Sequence, residues 1–221
     1  LTVSAAKLMA SLLICTPCYG KVIGEGYLHS IMETVDLLRS RGHQVKVKTI
    51  GNESLITRAR NNMVAHFLSS DFDKMMFIDA DITWQASAVL KLLESGKPVC
   101  GIPYPTKKID WERVARFVNR PHEEKLKPSQ LRNNSLTFTI NRIDGSAPPQ
   151  DGWLEVNALA TGFLMIERAV LEKMRDHYRD SLSYKNDVAG YAKFAPPEHC
   201  VGIFECMIEP DTRRYLSEDY A

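Results

Sequence analysis

The first half of the chain alternates short apolar runs with stretches whose apolar residues recur at helical spacing. Ser11 to Thr16 is an apolar run and reads as a strand. Gly24 to Arg41 places Leu28, Ile31, Val35 and Leu38 on one helical face, and Gly42 ends it as a C-terminal cap. Gln44 to Ile50 alternates Val45, Val47 and Thr49, the period of a strand. Ser54 to Ser69 is again helical, with Ile56, Ala59, Met63 and Phe67 in register. Lys74 to Ile78 predicts a third strand. Gln85 to Glu94 predicts a helix stopped by Ser95-Gly96, and Val99 to Tyr104 a fourth strand between Pro98 and Pro105. Strands separated by helices predict an α/β fold with a central, mainly parallel sheet. Ligands of such sheets bind beyond the carboxyl ends of the strands. Thr16-Pro17 and Asp79-Ala80-Asp81 both fall at such ends and are expected in one cleft.

The pattern then changes. Residues 107 to 134 are rich in charge (Lys107, Lys108, Arg113, Arg116, Arg120, Lys125, Lys127, Arg132), with an amphipathic helix marked by Trp111, Val114, Phe117 and Val118. This stretch reads as a solvated excursion, or as a lid or acceptor surface. Ser135 to Ile140 predicts a strand and Asp144 to Gly152 a turn-rich loop. Glu155 to Ile166 predicts strand, bend and strand around Thr161-Gly162. Arg168 to Tyr178 predicts a helix, Ser181 to Glu198 a polar loop, and Gly202 to Ile208 a last short strand.

Composition narrows the class. The 221 residues carry 44% hydrophobic and 25% charged side chains, ordinary for a globular chain able to bury a sizeable core. A net charge of +1 gives no drive toward nucleic acid or anionic membrane, and no apolar run reaches the length of a membrane span. Lys7 and the apolar stretch from Leu8 to Ile14 have the flavour of a signal peptide, but a first core strand explains them better. The five cysteines, Cys15, Cys18, Cys100, Cys200 and Cys206, form no compact framework. They predict free thiols in a reducing, cytoplasmic compartment. Cys15-x-x-Cys18 lacks the setting of a redox motif, and no second pair has zinc-ligand spacing.

The sharpest chemistry lies at Asp79-Ala80-Asp81. Two carboxylates one residue apart, closing the apolar run Met75-Met76-Phe77-Ile78, would repel each other and suffer desolvation. A hard divalent cation, Mn²⁺ or Mg²⁺, relieves both costs and typically bridges such carboxylates to a substrate's phosphates. The plain alternative is an Asp pair that ends a strand and caps the next helix.

Four further segments stand in order around this triplet: Thr16-Pro17, Arg58-Ala59-Arg60-Asn61, Ala160-Thr161-Gly162-Phe163-Leu164-Met165-Ile166, and Tyr215-Leu216-Ser217-Glu218-Asp219-Tyr220. Together they make the chain resemble the GT-A class of nucleotide-sugar glycosyltransferases, and in particular the first domain of multi-domain glycosyltransferases of large algal viruses. The resemblance implies a single Rossmann-like GT-A domain over residues 1–221. Residues 1–106 would form a nucleotide-binding half and 107–221 an acceptor-side half with a smaller sheet, cut from a longer parent chain with further domains. It implies a UDP-sugar as the favoured donor and a glycan as acceptor, with Mn²⁺ or Mg²⁺ on Asp79 and Asp81, and host cytoplasm as the setting of a viral chain. Thr16, Pro17 and Tyr19 would wall the base pocket, and Arg58 or Arg60 would reach a phosphate or the base. Thr161 and Gly162 would line the sugar side. Glu218 and Asp219 would open a helix and supply the catalytic carboxylate, Asp219 as base of an inverting transfer or, in a retaining one, as stabiliser of an oxocarbenium-like centre. Surface charge is the plain alternative for both arginines, and helix capping for the two acids.

Two other functions fit the same residues. A sugar-phosphate nucleotidyltransferase would want a glycine-rich basic loop after the first strand, for which Gly20-Lys21-Val22-Ile23-Gly24-Glu25-Gly26 is a partial candidate, although neither the P-loop nor the dinucleotide spacing is present. The third is a nucleotide-sugar-binding module without catalysis.

Overall fold

The computed structural model describes residues 9–121, 127–143, 149–188, 190, 191 and 193–220. Lys7, Leu8, Lys125 and the start of the loop expected from Asp144 lie outside the described residues. The described chain groups into two compact units: residues up to Ile102 together with those from Thr161 onward, and Pro103–Ala160.

The first unit holds a five-stranded sheet. Its strands are β1 (Ser11–Cys18), β2 (Gln44–Gly51), β3 (Lys74–Ile78), β4 (Val99–Gly101) and β9 (Phe163–Glu167), in the order β2-β1-β3-β9-β4. The helices of this unit are α1 (Glu25–Ser40), α2 (Ile56–Leu68), α3 (Ala86–Leu93) and α6 (Arg168–Leu182). β1 pairs in parallel with β2 and β3, whereas β9 runs antiparallel to both β3 and β4. The sheet is therefore mixed, not mainly parallel as its early strand-helix alternation predicts. The chain leaves the sheet after β4 and re-enters beside it at Thr161, and an antiparallel neighbour needs no crossover helix. Lys74 and Glu167 sit directly opposite on β3 and β9, and their side chains pair at 2.9 Å, which helps fix that register.

β3 is buried at every position, as are Leu12 to Thr16 of β1 and Phe163 to Ile166 of β9. On α1 the buried face is Tyr27, Ser30, Ile31, Thr34 and Leu38. Leu28, expected inside, is 44% exposed, because Ser30 and Thr34 have inward work on the loop after β3. β2, an edge strand, buries only Val45 and Ile50. The expected last strand shrinks to β10 (Met207–Ile208), which forms an antiparallel ladder with β11 (Tyr215–Leu216).

The second unit contains β5 (Pro105–Ile109) paired with β6 (Leu136–Phe138), and β7 (Asn141–Arg142) paired with β8 (Val156–Ala158). It also holds α4 (Trp111–Val118) and α5 (Pro128–Asn134). Asp110 caps α4 by accepting the Arg113 N–H at 2.8 Å. No helix among the described residues is long and apolar enough to cross a membrane.

Candidate active site

The acidic triplet is held on three sides. At its start, the Asp79 N–H donates to the Gly162 carbonyl at 2.9 Å and extends the β3–β9 ladder by one bond. In the middle, the Gly24 N–H donates to the Ala80 carbonyl at 2.8 Å. A Cβ on Gly26 would collide with the Thr83 side chain, so the approach of α1 to this loop depends on glycine there. After the triplet, Ser30 Oγ donates to the Trp84 carbonyl at 2.8 Å and accepts the Trp84 N–H at 3.0 Å, while the indole Nε1–H donates to Thr34 Oγ1 at 2.8 Å. The indole also meets Tyr27 and Phe163 edge-on. Asp79 and Asp81 therefore project from a loop fixed to both the sheet and α1.

Arg60 is the centre of the constellation. It lies on α2 and is only 3% exposed. Its Nη2 donates to Asp79 Oδ1 at 3.1 Å and its Nε to Glu218 Oε1 at 3.4 Å, and its guanidinium carbon lies 5.0 Å from the Phe77 ring centroid. A guanidinium keeps its charge when buried, so it must find anions there. Nη1 is buried with no hydrogen-bond partner among the described residues.

Asp219 is held from the other side. The Thr161 N–H donates to Asp219 Oδ1 at 2.9 Å, and the Thr161 hydroxyl makes a short hydrogen bond to the same oxygen. The circuit closes through covalent neighbours: Asp79 to Gly162, Thr161 to Asp219, Glu218 to Arg60, and Arg60 back to Asp79. Glu218 and Asp219 lie in a turn after β11, with the Tyr220 N–H donating to the Ser217 carbonyl at 2.9 Å. Among the described residues they stand in this turn, where hydrogen bonds hold both acids.

The other expected residues are placed differently. Thr16 is fully buried, and its hydroxyl shares a 2.6 Å hydrogen bond with the Tyr27 hydroxyl. Pro17 is half-buried near the end of β1, and Tyr19 is 79% exposed just beyond it. Arg58 turns to Glu53 in a two-pronged ion pair, Nε to Oε2 and Nη2 to Oε1, both at 2.8 Å. It does not join the acidic cluster. Burial pushes the Cys15 and Cys18 thiols up from their ordinary range, so they favour the protonated form, and all five cysteines are free.

Asn61 is the functional-site support that the pattern hid. Its amide donates to the Phe204 carbonyl at 3.0 Å and to Glu205 Oε1 at 2.7 Å, and its Oδ1 accepts the Phe204 N–H at 2.8 Å. Adjacent residues of α2 thus clasp the segment 204–218 at both ends, Asn61 at Phe204 and Arg60 at Glu218. The signal was present as three polar residues, Arg60, Asn61 and Asn62, between the core positions Ala59 and Met63.

Asp79 and Asp81 offer hard carboxylate oxygens, the donors that Mg²⁺ and Mn²⁺ prefer. Asp81 is exposed and the Asp79 side chain is 33% exposed. Among the described residues no group of three or more His, Cys, Asp or Glu is arranged to hold a metal alone. Two carboxylates completed by water and substrate phosphates are the usual manner of Mg²⁺, so the donor set fits. Comparison of the chain with protein-family models and with curated proteins finds no match.

Proposed function

We propose that this chain is a metal-dependent glycosyltransferase that moves a hexose from a nucleoside diphosphate sugar, a UDP-sugar by preference, to a hydroxyl of a glycan. The observation that carries the proposal is the closed circuit of Arg60, Asp79, Gly162, Thr161, Asp219 and Glu218, with Asp81 on the same fixed loop. It concentrates carboxylates and one buried cation at the strand ends where an α/β sheet takes its ligands.

In this reading Asp219 accepts the proton of the acceptor hydroxyl as that oxygen attacks the anomeric carbon. The bond from that carbon to the diphosphate oxygen breaks, and the nucleoside diphosphate leaves with the electron pair. Thr161 donates twice to Oδ1 and fixes the carboxylate in one orientation. Glu218 and Arg60 position the turn that carries it. Mn²⁺ or Mg²⁺ held by Asp81 and Asp79 would supply Lewis-acid neutralisation of the diphosphate.

The nucleotidyltransferase alternative has less support. Its glycine-rich loop would present N–H groups to phosphate, yet the Gly24 N–H is committed to Ala80, and Gly26 packs on Thr83. The deciding experiment is titration of UDP and GDP with and without Mn²⁺, followed by assay of UDP-sugars. Metal-dependent UDP binding and release of UDP support transfer. Pyrophosphate release supports the nucleotidyltransferase, binding without turnover a non-catalytic module, and no binding refutes all three.

A further inference from the structure

We infer that Arg60 is a resident cation in the acidic cluster that opposes a divalent metal at Asp79, and that the phosphates of the nucleotide relieve this opposition by accepting from its guanidinium. The inference rests on the metal-dependent reading above and adds to it a coupling between metal and nucleotide.

Arg60 is 3% exposed, and its charge cannot be shed. Two of its nitrogens are engaged with Asp79 and Glu218, while Nη1 is buried without a partner among the described residues. An unmade hydrogen bond on a buried charged group is costly, so Nη1 calls for an acceptor that the described residues do not supply. An anionic acceptor satisfies it most strongly, because hydrogen bonds between ionised groups are the shorter and stronger ones. Asp79 is the more exposed of the two acids that Arg60 holds, with a side chain at 33% against 12% for Glu218. Asp79 is therefore the one a metal ion can reach.

Arg60 and a metal then draw on one carboxylate, Arg60 through Oδ1. A metal that enters alone weakens the hold of Arg60 on Asp79 and sets a dication beside a buried guanidinium. A diphosphate entering with the metal offers oxygens to Nη1 and Nη2 and screens the two cations from each other. Metal and nucleotide must therefore favour each other's binding, and by linkage the effect is equal in both directions.

Removing the guanidinium gives opposite signs for the two ligands. Mn²⁺ alone and then UDP in saturating Mn²⁺ are titrated calorimetrically into the wild-type chain and Arg60→Gln. The variant should bind Mn²⁺ about tenfold tighter and UDP about tenfold weaker, the least that one charge-assisted hydrogen bond commands. Thermal unfolding with and without Mn²⁺ accompanies the titrations, since the change leaves two acids unpaired, and Mn²⁺ should raise the Tm of the variant more than that of the wild type. Arg60→Lys, which keeps a charge but cannot bridge both acids, should fall between the two. A variant that binds Mn²⁺ no tighter, that weakens both ligands together, or that stays unfolded in Mn²⁺ would make Arg60 a structural residue and overturn the coupling. Wild-type protein that binds neither Mn²⁺ nor UDP would instead remove the metal-dependent function itself.

Discussion

Thr161 and Asp219 are 58 positions apart in the chain and joined by two hydrogen bonds, both ending on Asp219 Oδ1. A carboxylate held by a backbone N–H and a hydroxyl on one oxygen has its orientation set before any ligand arrives. Asp219→Asn should bind UDP as the wild type does yet transfer at least about a hundredfold more slowly, the scale of a lost general base. Thr161→Val keeps the backbone bond and removes the hydroxyl, so turnover should fall about tenfold with UDP affinity unchanged. Wild-type turnover in Asp219→Asn would take that residue out of the chemistry. An equal loss of UDP affinity in Thr161→Val would move Thr161 from supporting Asp219 to binding the donor.

Asp81 stands on the loop that Ser30, Thr34 and Gly24 hold, two residues beyond the acid paired with Arg60. Asp81→Asn should remove Mn²⁺-dependent UDP binding and leave the melting temperature within a few degrees of wild type, as an exposed substitution typically does. Binding calorimetry and thermal unfolding of the same preparation check both halves. Undiminished Mn²⁺-dependent binding would show that the metal, if one is used, is held elsewhere.

Much of this arrangement was legible from the chain. The end of β3 at Ile78 follows directly from the apolar run Met75 to Ile78, because a strand buried on both faces reads as a continuous apolar run, whereas Lys74 at its start is buried only through its pairing with Glu167. Gly42, with φ of +84°, ends the first helix where its spacing predicts. The direction of β9 was not legible, since Phe163-Leu164-Met165-Ile166 is equally apolar in a parallel or an antiparallel neighbour. Of the expected inward face of α1, Ile31 and Leu38 are buried, and the rest differs because Ser30 and Thr34 are buried for their hydroxyls, which hydropathy counts against them. Arg58 and Arg60 look alike in sequence. Two residues along α2 separate a partly exposed arginine on Glu53 from a buried one on Asp79 and Glu218, and only the partner segments decide which is which.

Asn61 tests how firmly the C-terminal segment is clasped. Asn61→Ala leaves the Phe204 N–H and carbonyl without their side-chain partner and frees Glu205, whose carboxyl burial holds above its ordinary range and the Asn61 amide lowers in part. The expected cost is about 2–4 kcal/mol, read as a lower urea midpoint with an unchanged slope. Turnover should drop with it, because the same segment ends at Glu218 and Asp219. A loss of stability with full turnover would show that Arg60 and Thr161 alone suffice to hold the acids.

Glu53 gives the fold a distinct sensitivity to acid. Burial by itself would push its carboxyl up. Hydrogen bonds from the Arg58 guanidinium, the Leu55 N–H and the Tyr191 hydroxyl, with the charge of Arg58, outweigh burial and hold it below its ordinary value of 4.5. A carboxylate whose folded value lies below its unfolded value stabilises the fold fully above the unfolded value. That stabilisation is lost as pH falls through the folded one. Glu53→Gln lacks it at every pH. The stability gap between wild type and Glu53→Gln should therefore be constant above about pH 5.5 and close as pH drops below about 4.5. Taking the difference cancels the other carboxylates, which titrate in both proteins. Urea unfolding of the pair across that range measures the gap. A gap that persists undiminished well below pH 4 would mean that packing around Glu53, not its charge, anchors the start of α2.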